Sequence, residues 1–173
     1  MSDAAAPAIP VRLAPFLAQW DYMAGVLTER LADLTDEEYR WKPAPEVVTS
    51  LGLPPTAEPM PPRTIAWSVC HLGATGLLRA EYLDGAHKLT DEDVPWPDTA
   101  EEGIDLMRRG LTRWREAIGG MTDEDLDTVG RSAFPRGLDP TLPLLDVIWW
   151  QNKELIYHAG EIWLLRDLYR VLK

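Results

Sequence analysis

The stretch NKELIYHAGEIWLLRDLY, residues 152–169, decides the reading of this chain. Glu154, His158 and Glu161 stand at i, i+4 and i+7, so on a helix they share one stripe. Leu155, Ile162, Leu165 and Tyr169 form the neighbouring apolar stripe. Two carboxylates and an imidazole turned toward a packed side are costly unless something pairs them. A divalent metal satisfies a Glu-xxx-His pair through carboxylate oxygen and imidazole nitrogen. Pairing of Glu154 with Lys153 or Arg166 is the plainer alternative.

Outward from this helix, apolar periodicity recurs in three more segments. Leu13, Phe16, Leu17, Trp20, Ala24, Leu27, Leu31 and Leu34 predict a helix over 11–34. Thr35 then caps a short turn, and residues 43–63 hold seven prolines without helical period, a long crossover loop. Thr64 opens a second helix to about Leu83, with Ile65, Val69, Leu72 and Leu78 inward. Asp98 and Glu101 have capping-box spacing for a third, which carries Ile104, Met107, Leu111, Trp114 and Ile118 to the Gly119-Gly120 stop. Pro143 opens the fourth, running to about Leu172. Thr-Asp-Glu-[Glu/Asp] occurs at Thr35, Thr90 and Thr122 and reads as repeated capping. The expected fold is all-α: a four-helix bundle over 11–173 behind a flexible lead-in, 1–10.

A chain of 173 residues suits one core, and strand signals are nearly absent. The net charge of −11 argues against nucleic acid and anionic membranes as partners. No stretch is apolar enough for a membrane span. The single cysteine, Cys70, excludes an internal disulfide and fits a reducing cytoplasm. Eight tryptophans are expected mostly in the core, the Trp149-Trp150 pair as packing, and His87 in solvent.

Bundle cores bring inward side chains from different helices together. The candidate metal ligands are His71 from the second helix and Glu154 with His158 from the fourth. Three protein ligands and an open position is the catalytic arrangement for zinc, and the open position suits water or a substrate thiolate. Glu161, a turn past His158, is the candidate catalytic base, or else an acceptor that orients His158. Cys70 diverges from His71 by about 100° around the helix and reads as a buried, inert thiol.

TIAWSVCHLG in the second helix, NKELIYHAGEIWLLRDLY in the fourth and TDEEYRWKPAP after the first resemble the DinB-like superfamily of metal-binding four-helix bundles, which includes mycothiol-dependent maleylpyruvate isomerases and other thiol-dependent transferases. The family's helix-two histidine corresponds to His71. The second histidine of its H-xxx-H pair corresponds to His158, ahead of Gly160, while Glu154 stands where the first histidine would be. The resemblance implies a divalent metal, zinc or nickel and also iron as a candidate, at one end of the bundle. It further implies a low-molecular-weight thiol such as mycothiol or bacillithiol as co-substrate. The expected function is a metal-dependent S-transferase or related hydrolase acting on a small-molecule substrate, with a homodimer as the expected assembly. The alternatives are a non-enzymatic helical dimerisation module, and a metal or small-molecule sensor without turnover.

Overall fold

The computed structural model describes residues 9–43, 63–135 and 137–173. Four long helices dominate: α1 (Ala14–Arg30), α3 (Ile65–Asp84), α4 (Ala100–Gly119) and α6 (Leu144–Leu172). Two short ones, α2 (Asp36–Arg40) and α5 (Asp123–Asp127), lie between them, with two single-turn 3-10 segments. Among the described residues there is no strand; an isolated bridge joins Val129 and Pro143. The all-α bundle expected from the periodicity is the observed architecture. The lead-in up to residue 8 and the proline-rich stretch 44–62 lie outside the described residues.

Side-chain pairings set the topology. Asn152 reaches Phe16 near the start of α1 while Arg166 reaches Arg30 at its end, so α1 and α6 run parallel. In α3 and α4, Gly73 faces Leu106, Gly76 faces Gly110, and Asp84 meets Arg113; these too are parallel. Arg63, Ser68 and His71 meet Glu161 and Glu154 in reverse order, so α3 and α6 are antiparallel. The segment 85–99 therefore travels back along the bundle to begin α4 beside the start of α3.

Contact between α3 and α4 is close because glycines face each other. A Cβ on Gly73 would lie 2.7 Å from the backbone carbonyl of Leu106, one on Gly76 would run into the Gly110 backbone, and one on Gly110 into that of Gly73. Only glycine allows helices this near. The expected stripes are inside: Leu13, Leu17, Trp20, Leu27 and Leu31 of the first segment, Ile65, Val69, Leu72 and Leu78 of α3, and Met107, Leu111, Trp114 and Ile118 of α4 are all buried.

Capping explains the element ends. Thr35 and Thr122 accept from the amides of Glu38 and Asp125, and Asp93 and Asp125 reach back to the amides of Thr90 and Thr122. The three Thr-Asp-Glu phrases are thus all caps. The cap of α4 falls one residue later than expected. Thr99, extended at φ −105°, accepts from the Glu102 amide and donates to its carboxylate, displacing Asp98 and Glu101 from the role. The first helix stops at Arg30 instead of Leu34, because Thr35 starts α2.

The far end of α6 is fastened by a buried ion pair. Arg166, 1% exposed, donates Nε and Nη2 to the two oxygens of Glu38 at 2.7 and 3.1 Å, and also reaches the Arg30 carbonyl and Asp33. Tryptophans depart from expectation. Trp20 and Trp114 are buried, but Trp149 and Trp150 are 53% and 44% exposed. Both sit on the outer side of α6, where 100° per residue carries them away from the core. His87 is in solvent, as expected, with a left-handed φ of 59°.

Candidate metal centre

His71, Glu154 and His158 meet between the first two turns of α3 and the middle of α6. Their ligand atoms lie within 4.8 Å of one another, the one such group of three among the described residues. Nε2 of His158 and Nε2 of His71 approach the same oxygen of Glu154, Oε2, at 3.3 and 3.6 Å. The sequence-predicted trio is therefore assembled. Spacing on α6 presents Glu154 and His158 together, and the antiparallel approach of α3 supplies His71.

The second nitrogen of His158 is also engaged. Its Nδ1 donates to Glu161 Oε2 at 2.6 Å. Glu161 in turn accepts from Arg63 Nη1 on Oε1 at 2.5 Å and weakly from Ser68 at 3.4 Å. Glu154 Oε1 is paired with Lys153 at 2.8 Å. Of the two plainer partners, Lys153 is the one that reaches Glu154; Arg166 is committed to Glu38.

His158 is 1% exposed, and each of its nitrogens faces a carboxylate. Burial works against a charge on the ring, yet the hydrogen bonds to Glu154 and Glu161 outweigh it and hold the pKa above the usual imidazole value. Hydrogen bonds from His158 and then His71 hold Glu154 far below the usual carboxylate range. For Glu161, burial pushes upward but is overcome by His158 and Arg63, leaving it low.

These residues fit a divalent cation on two grounds. With Nδ1–H given to Glu161, a neutral His158 turns the Nε2 lone pair toward a carboxylate oxygen, acceptor against acceptor, which only a proton or a metal between them relieves. The separations also fit: bonds of ~2.0–2.1 Å at a tetrahedral centre place ligand atoms roughly 3.3–3.4 Å apart. The two separations from Glu154, 3.3 and 3.6 Å, lie close to that edge, and the trio as a whole fits within 4.8 Å.

An aromatic and cationic surround completes the site. Trp67 stacks on His71 with ring centroids 4.7 Å apart and 13° between planes. The Arg63 guanidinium lies 4.8 Å from the Trp67 ring and 5.5 Å from that of Tyr157. Sequence reasoning missed Arg63 and Ser68. Ser68 carried a usable signal, three residues before His71 on the same face of α3. Arg63 precedes the helix and carried none. Cys70 is 1% exposed and bonded to the Tyr39 hydroxyl at 3.1 Å, away from the histidines as expected.

No curated protein and no solved structure matches the chain. The family model for the DinB superfamily matches residues 19–162, a span that includes His71, Glu154, His158 and Glu161. That match covers most of the chain and agrees with the helical bundle: the chain belongs to the DinB superfamily.

Proposed function

We propose that the chain is a divalent-metal-dependent enzyme, an S-transferase using a low-molecular-weight thiol or a related hydrolase. The observation that carries the reading is the convergence of both Nε2 atoms on Glu154 Oε2, with Nδ1 of His158 anchored behind by Glu161. His71, Glu154 and His158 would hold zinc, nickel or iron. When bound, the cation supplies Lewis acidity, lowering the pKa of a thiol or water that meets it.

The chain's own residues divide the remaining work. Glu161 fixes the His158 tautomer and orientation, and both its oxygens are occupied by Arg63 and His158. Of the two roles open to it, orienting His158 therefore suits it better than removing a substrate proton. Lys153 holds Glu154 Oε1, leaving Oε2 to face the histidines. His71 is partly exposed, its side chain at 25%, and lies at the solvent side where a substrate would arrive.

Elemental analysis of purified wild type beside His71→Ala and Glu154→Ala tests the site. Near one equivalent of metal in wild type, lost in both variants with helicity retained, is expected, followed by a screen for thiol transfer. Protein that stays metal-free after supplementation at neutral pH refutes the reading.

The second reading, a dimerisation module, draws on the outer face of α6. Trp149, Ile156, Leu164, Leu168 and Val171 are exposed there, and Gly160 has open space above it. A monomer in light scattering at micromolar concentration argues against it.

A further inference from the structure

With the histidines neutral, as ligation of a metal requires, the charges of the described side chains around the site balance. Glu154 is paired with Lys153, and Glu161 with Arg63, so two carboxylates face two side-chain cations. A divalent ion held by His71, Glu154 and His158 adds positive charge that, among the described residues, these two ion pairs do not offset. In a chain of net charge −11 this makes the site a local reversal of sign.

Arg63 is placed to use it. Its guanidinium is held near the Trp67 and Tyr157 rings, and its side chain is 26% exposed. Among the described residues Glu161 is its hydrogen-bond acceptor, through Nη1, so most of the five-donor fork remains for another acceptor. Tyr157 is 48% exposed and Trp96, edge-on to Trp67 at 6.1 Å, is 46% exposed. The approach to the metal ligands is thus a cation among partly open aromatic rings.

We propose that the site takes a flat organic carboxylate, its anionic group met by Arg63 and its apolar body laid against the partly open rings of Tyr157 and Trp96. The proposal rests on the metal reading above, because the uncompensated charge is the ion's. Charge-assisted hydrogen bonding to the guanidinium selects carboxylate over neutral analogues, and the rings select planar bodies.

Ligand-observed NMR titration of zinc-loaded protein with benzoate and with its neutral counterpart benzamide tests this, beside Arg63→Met and Arg63→Lys variants. Zinc content and helicity are measured in every sample. Benzoate should bind wild type about tenfold or more tighter than it binds Arg63→Met, with Arg63→Lys between them, while benzamide shows no such difference. The Arg63 arm separates recognition by the guanidinium from direct ligation of zinc by the carboxylate. Equal benzoate affinity in wild type and Arg63→Met at equal zinc content overturns the proposal, as does zinc-loaded wild type that binds no benzoate. Wild type that holds no zinc overturns the metal reading and this inference together.

Discussion

Replacing Glu161 by Gln removes the charge behind His158 while keeping the side chain's shape. In the structure Nδ1 of His158 donates to this carboxylate at 2.6 Å, and Arg63 pairs with its other oxygen. If His158 ligates through Nε2, the carboxylate raises its basicity and fixes its ring. Loss of such an outer partner weakens metal affinity by about 10–100-fold, or roughly 1.4–2.8 kcal/mol. Competition for zinc against a chromophoric chelator at pH 7.5, with helicity checked by circular dichroism, reads the effect. His158→Ala should lose far more, and Ser68→Ala far less, since its 3.4 Å contact is weak. Wild-type zinc affinity in a folded Glu161→Gln protein would refute the ligand geometry.

The same variant carries a pH signature. The folded-state pKa of His158 is raised, so below that value the metal-free ring holds a proton that zinc must displace. Zinc affinity should fall by about tenfold per pH unit in that range, and this group should add no slope above it. Removing the Glu161 charge lowers the His158 pKa and eases the competition. The deficit of Glu161→Gln should therefore shrink as pH falls. In stability terms the sign is the usual one for a raised imidazole: the metal-free protein holds this contribution below the ordinary histidine pKa and loses it as pH rises through the folded value.

Other substitutions probe the frame. Gly73→Ala places a methyl 2.7 Å from the Leu106 backbone and should cost about 1–3 kcal/mol, seen as a lower Tm in thermal melts. Gly160→Ala meets nothing within 4 Å and should stabilise α6 by about 0.5–1 kcal/mol. Arg166→Ala strands the buried Glu38 carboxylate and should cost about 3–5 kcal/mol in urea titration, more than a double change of Glu38 and Arg166 to apolar residues. Burial raises the Cys70 pKa, with the Tyr39 hydroxyl only partly opposing it, so native protein should resist a disulfide reagent at pH 8 and react on unfolding. Prompt reaction of folded protein would contradict that burial.

Much of the molecule follows from local rules written in the sequence. Apolar spacing marked the four long helices, threonine phrases marked the caps of short elements between them, and the 154–158–161 spacing put three polar groups on one stripe of α6. These depend on helix geometry and on hydrogen bonds within a few residues, so no long-range information is needed. Capping register was less certain, because Asp98 and Thr99 both offer an oxygen and only the chain's path chose Thr99. The partners across the bundle were another matter. That His71 meets Glu154 depends on α3 running antiparallel to α6, and Arg63 reaches Glu161 across 98 positions of sequence. Glycine faces of α3 and α4 fix that parallel pair, which in turn sets how α3 presents His71. Whether a tryptophan is buried likewise depends on which side of α6 is covered, and Trp149 and Trp150 lie on the exposed side. Sequence determined which side chains share a helix face; packing between faces decided which of them form a site, because that choice belongs to contacts between residues far apart in the chain.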